Sequence, residues 1–211
     1  MQLPFSRDAF LDVFAAYNTS LWPVALALWL ATLAALVARL GGRDRSEWTF
    51  GLLAVQWAWA AVAYHMAFFS RINPAAWIFA LLFLIQASLL TWYGIINRRL
   101  RFSRENTIVE FAAYGLITYG LVYPLLTLAD GHSYPRVPMF GVPCPTTIVT
   151  VGFLLLAGQR IPPLVAMVPL AWAAIAGSSA FQLGVHADLA LLVAAAFLAH
   201  RTWSTRAAIH A

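Results

Sequence analysis

An all-α integral membrane protein with seven transmembrane helices is the fold class that this 211-residue sequence predicts, and three observations predict it. Hydrophobic residues make up 62% of the chain and charged ones only 10%, with a mean hydropathy of +0.77, a balance that a water-exposed surface of this size does not carry. Crossing about 30 Å of hydrocarbon takes roughly 20 apolar residues. Such runs recur at about 20-40, 49-70, 75-97, 107-128, 142-158, 162-181 and 183-202. The arginines, finally, sit in the short connections between the runs. Arg39, Arg43, Arg45, Arg98, Arg99, Arg101, Arg104, Arg160, Arg201 and Arg206 fall on one side, and Arg7, Arg71 and Arg136 on the other. That bias places the N-terminus outside and the C-terminus in the cytoplasm of a bacterial inner membrane. It also assigns the net charge of +5 to topology and leaves nucleic-acid binding without support.

Ahead of the first span, Phe10, Val13, Phe14 and Tyr17 share a helical face behind Ser6 as N-cap, which predicts a short helix in the outer interface or packed over the mouth of the bundle. The opening residues lack the basic start and cleavage site of a signal peptide, so the N-terminus is expected to be retained. Trp22-Pro23 reads as an interfacial aromatic and first-turn proline that begin span 1. Span 2 carries Gln56 and, one to two turns below the outer surface, Tyr64 and His65. Gln86 in span 3 reads as an interhelical hydrogen-bond partner. Thr107 and Glu110 have the spacing of a capping box at the start of span 4, and Gly115 and Gly120 beyond them suit close helix packing.

The stretch Pro143-Cys144-Pro145-Thr146-Thr147 opens a short span 5 and contains the only cysteine, so no intrachain disulfide is available. A proline without an N–H belongs in the first helical turn, which sets Cys144 at a helix N-terminus. There the free N–H groups and helix dipole would favour a thiolate or a bound anion. Pro162-Pro163 begins span 6 and Pro169 interrupts it, while His186 and Asp188 mark the outer end of span 7. A kinked helix beside a short one points to a binding site.

Cys144, Met139, His132, His186, His65 and Met66 all gather towards the outer face, a donor set suited to a soft transition metal, with His65, Cys144, His132 and His186 as candidate ligands. Two alternatives use the same residues: haem between His65 and His186, and a Cys144 nucleophile with His132 or His186. Seven spans match the topology of rhodopsin-like proteins, but the chain has no lysine and cannot form a retinal Schiff base. It also lacks a Walker-type loop, a dinucleotide fingerprint and a Gly-x-Ser-x-Gly elbow.

Arg7-Asp8-Ala9-Phe10-Leu11-Asp12, Tyr17-Asn18, Trp22-Pro23, Tyr64-His65 and Pro143-Cys144-Pro145-Thr146-Thr147 make the chain similar to a family of small bacterial inner-membrane proteins. That family is catalogued as a domain of unknown function, and some members are labelled permeases. The resemblance spans nearly the whole chain and implies a polytopic membrane protein, with no assigned substrate or catalytic residue. The expected function is a small permease or ligand-binding protein for a small solute or ion, with Cys144, His65, Tyr64, Thr146 and Thr147 at the recognition site. A metal- or haem-binding redox protein is the alternative, and an accessory subunit the third reading. The expected partners are the lipid bilayer and the solute, and a homo-oligomer is compatible with this reading.

Overall fold

The computed structural model describes residues 4–158 and 161–207, side chains excepted from 204 on. Arg160, His210 and the Arg206 side chain therefore lie outside the described residues. The described chain is all helical and has no strand. Its main helices are α1 (Arg7–Leu40), α2 (Ser46–Trp59), α3 (Ala76–Leu90), α4 (Thr107–Ala129), α5 (Pro143–Leu155), α6 (Pro163–Leu183) and α7 (Ala190–Ala207). Five stretches are long and apolar enough to cross a membrane: α1, Ser46–Arg71, Ala76–Ile96, α4 and α6. Helix α5 is apolar but shorter.

Helix α5 is the axis of the bundle. Twelve of its 13 residues are buried, all but Cys144. A helix apolar on every face has to be enclosed, and α2, α4, α6 and α7 pack around it. The tightest of these contacts is with α4, where small residues let the backbones approach. A Cβ on Gly152 would lie 2.8 Å from the Ala113 carbonyl oxygen, and one on Gly120 would clash with Val149 and lie 3.3 Å from the Pro145 carbonyl. Gly115, paired with Gly120 in the sequence reading, faces open space instead.

The separate interfacial helix expected at residues 6–17 does not exist. Residues 7–40 form one continuous helix, about 51 Å long at 1.5 Å per residue, with Pro23 inside it and not at its start. Ser6 does cap it, accepting from the Ala9 N–H at 3.2 Å. The apolar face Phe10, Val13, Phe14 and Tyr17 is buried in the bundle, which is the packed-over-the-mouth alternative. The loop between α4 and α5 ties this part of α1 down. Asn18 Nδ2 donates to the Pro135 and Val137 carbonyls, both at 2.6 Å, Tyr17 Oη donates to the Phe140 carbonyl at 3.3 Å, and Arg136 reaches Asp12 at 2.6 Å.

Prolines inside the bundle leave carbonyls that side chains from other helices satisfy. Pro169 has no N–H to offer Val165, and Gln86 Nε2 donates to that carbonyl at 3.0 Å. This is the interhelical role read for Gln86. Near Pro124, which frees the Gly120 carbonyl, Trp29 Nε1 donates to the neighbouring Leu121 carbonyl at 2.9 Å. The cap of α4 is one residue earlier than the spacing suggested: Asn106 Oδ1 accepts from the Val109 N–H at 3.0 Å, while Glu110 reaches back to the Glu105 N–H at 3.2 Å. Asparagine outranks threonine as an N-cap and stands just before it.

The two ends of the bundle differ. At one, Asp44 caps α2 through the Ser46 hydroxyl and N–H, and these bonds hold its carboxyl below the usual carboxylate range. Exposed pairs link Arg98 and Arg101 to Glu47, and a largely buried pair links Arg201 to Glu105. The other end holds the start of α1, the α4–α5 loop and the turn before α7. Arg7 Nε donates there to the Leu183 carbonyl at 3.2 Å.

Candidate functional site

At the end of the bundle marked by the start of α1 the packing opens into a cavity of about 130 Å³ around the first turn of α5. Phe10 and Phe14 of α1 roof it, and Tyr64, Phe69 and Phe79 form one wall. Trp172, Ala176 and Ser179 of α6 form another, and Pro143, Cys144, Tyr123 and Asp188 close the floor. Every main helix except α2, or the turn that leads into it, therefore contributes, and the π-helical turn after α2 supplies Tyr64.

Local structure explains how each polar group arrives there. After Trp59 the chain continues as a π-helix over Ala60–Met66, with the Ala67 N–H bonded to the Val62 carbonyl five residues back at 3.1 Å. The wider turn brings both Tyr64 and His65 to the inner face, 3% and 0% exposed. Asp188 lies in a short 3₁₀ turn, His186–Leu189, that follows the left-handed Gly184 and leads into α7. Its carboxylate accepts a very short hydrogen bond from Tyr123 Oη and interacts with the Cys144 thiol.

Asp188 is 3% exposed and has no basic partner among the described residues. The ion pairs of the described residues all lie elsewhere: His186 faces Asp130 at 3.6 Å, and Arg136 is committed to Asp8 and Asp12. The helix start expected at Cys144 forms, but it offers few free amides to an anion: Pro143 and Pro145 have no N–H, and the Thr146 N–H makes the first intrahelical bond, to the Val142 carbonyl at 3.4 Å. Asp188 moreover brings negative charge to the point where the helix dipole was to bring positive.

Of the five ligand-site candidates, Cys144 and Tyr64 line the cavity. Thr147 donates to the Pro143 carbonyl of its own helix at 2.9 Å, and Thr146 is buried with its hydroxyl unpartnered; neither lines the space. His65 sits behind the wall, its ring 4.8 Å from Phe83, 5.2 Å from Trp172 and 5.3 Å from Tyr64, with both nitrogens unpartnered. Trp172 thus stands between His65 and Cys144, its indole N–H turned towards the sulfur without completing a hydrogen bond.

Residues 7–207 match the model of a family of unknown function, DUF6064. The chain belongs to that family. Comparisons with curated proteins and with solved structures give no match.

In this DUF6064 member the four residues read as soft-metal ligands, His65, Cys144, His132 and His186, are not brought together. Among the described residues no three His, Cys, Asp or Glu side chains could hold a metal ion. His65 is walled in by rings, His132 Nδ1 lies 3.2 Å from the Thr127 carbonyl, and His186 meets Phe181 edge-to-face at 5.9 Å. The same separation leaves haem without an axial histidine pair and Cys144 without a histidine base at the cavity.

Three residues central to the site, Asp188, Tyr123 and Trp172, were not among the sequence candidates. Asp188 carried a usable signal, an acid flanked by Val185, Ala187 and Leu189, but with His186 it was read as marking the outer end of span 7.

Proposed function

We propose that this protein is a seven-span inner-membrane permease or binding protein for a small solute, with its N-terminus outside and its recognition site in the outer half of the bilayer. The arginine distribution supports this orientation. Helix α7, at 18 residues, and α5, enclosed by the rest, supply the two further spans beyond the five long ones.

The observation that carries the functional reading is the cavity around the start of α5. An interior that packs at crystal-like density has few voids larger than a water molecule, and an engineered cavity of about 150 Å³ accepts benzene. A space of about 130 Å³ therefore suits a solute with roughly one ring's worth of atoms. The wall has an apolar body and a single polar corner, the composition expected of a ligand pocket. Access would run past the first turn of α1, where the polar ties are the Arg7–Leu183 hydrogen bond and the partly exposed Arg136 pairs. Pro169 gives α6, which carries Trp172 and Ala176, a point at which to bend.

The test is thermal unfolding of the full chain in nanodiscs with benzyl alcohol, benzylamine or benzoate, beside Ala176→Leu, which fills part of the cavity. At least one compound should raise the unfolding temperature saturably in the wild type, as binding to the native state requires, and the gain should shrink severalfold in the variant. No saturable shift with any of the three, or an equal shift in both proteins, overturns the reading.

A further inference from the structure

We infer that the solute is a small organic amine, its ammonium group held by Asp188 against the ring faces of the cavity. The inference rests on the cavity being a binding site, as proposed above, and adds the chemical class of what it binds. Three features of the wall point the same way.

The first is the sign of the charge. Among the described residues Asp188 is the only charged one that lines the space, and no arginine or histidine lines it. An ionised carboxylate accepts about four hydrogen bonds; the Tyr123 hydroxyl supplies one, with the Cys144 thiol beside it. The cavity that this carboxylate lines is mostly apolar. A buried carboxylate without a cation is costly, and an ammonium ion entering the cavity supplies both the missing charge and the missing donors.

The second is the density of rings. Phe10, Phe14, Tyr64, Phe69, Phe79 and Trp172 all line a volume of about 130 Å³. Aromatic faces carry partial negative charge and attract cations within about 6 Å, most strongly where water is excluded. The rings also hold one another in place: Phe10 lies 6.0 Å from Phe69, and Phe14 5.8 Å from Tyr64. Such preorganisation reduces the ordering cost of binding.

The third is the exclusion of anions. Two prolines remove two of the four amides that a helix start normally offers. A carboxylate or phosphate would meet the Asp188 charge with few donors left to compensate.

Benzylamine, benzyl alcohol and benzoate share a ring and differ in the headgroup, so their relative affinities for the wild-type chain in nanodiscs decide the question. Benzylamine should bind about tenfold tighter than benzyl alcohol or more, since a charge-assisted hydrogen bond exceeds a neutral one by at least that factor. Benzoate should bind weakest. In Asp188→Asn, which keeps an acceptor for Tyr123, the amine and the alcohol should come within about threefold of each other. Equal affinity for amine and alcohol in the wild type, or preference for benzoate, overturns the amine assignment and leaves the cavity reading intact. Binding of none of the three overturns both. The wild-type series stands by itself if Asp188→Asn does not fold.

Discussion

Helix α5 has two regions that treat space in opposite ways. In its middle, at Gly152, and where Gly120 of α4 meets Val149, two backbones approach so closely that even a methyl group cannot be added. One to two turns away, at Cys144, the same helix borders a void of about 130 Å³. Empty volume costs about 24 cal/mol per Å³, so this void represents about 3 kcal/mol of unrealised packing. A sequence able to place glycines at the crossing has no shortage of ways to place a larger residue at Ala176. The open region is therefore a feature kept against a stability cost, and its one buried carboxylate belongs to the same exception.

The largest expected effect probes the closed region. Gly152→Val should destabilise the chain by about 3 kcal/mol or more, because the new side chain meets the Ala113 carbonyl and the Ile117 backbone and neither can move without shifting α4. Gly115→Ala on the same helix pair, with nothing within 4 Å, should stay within about 0.5 kcal/mol of the wild type. Chemical or thermal unfolding in one detergent compares them directly. Similar losses at both positions would mean that the crossing is looser than it looks and would dissolve the contrast.

A smaller effect is expected at the floor of the open region. Tyr123→Phe removes the hydroxyl that donates to Asp188 and leaves a buried carboxylate one donor short, which costs about 1–3 kcal/mol. Asp188→Asn in the Tyr123→Phe background should recover part of that loss, because a neutral amide is cheaper to bury than a carboxylate. A double-mutant cycle reads the coupling. Strict additivity of the two losses would show that the pair is not a unit.

These regions were unequally legible in the sequence. Proline acts through its own ring and missing N–H, so Pro143-Cys144-Pro145 announced a helix start, and that start exists. The same local rule failed at Pro23, because tertiary contacts of Phe10, Phe14, Tyr17 and Asn18 hold α1 straight through a residue that would otherwise begin a helix. Gly152 gave no signal inside an apolar run, since its importance lies in the distance to α4 and not in its neighbours. Asp188 reaches Tyr123 across 65 residues of sequence, a contact that only the packed bundle creates. Tyr64 and His65 were both picked, and both are buried, in a π-helical turn that no local pattern announced.

His65 lies between the two regions and offers the finest test. Its surroundings are as closed as the crossing, with rings of Tyr64, Phe69, Phe79, Phe83 and Trp172 at 4.8–6.0 Å. Its two unpartnered nitrogens resemble the polar corner of the cavity. Replacing a buried polar ring that makes no hydrogen bond by an apolar ring of similar shape is close to neutral or stabilising. His65→Phe should therefore unfold within about 1 kcal/mol of the wild type, on either side of it. It should leave benzylamine affinity nearly unchanged, because the phenyl ring can hold Trp172 in the same edge-to-face contact. A loss above about 2 kcal/mol would mean that the imidazole nitrogens are bonded to buried water. In that case the open region extends behind Trp172, and the boundary between packed core and cavity lies one helical turn deeper than the wall residues mark it.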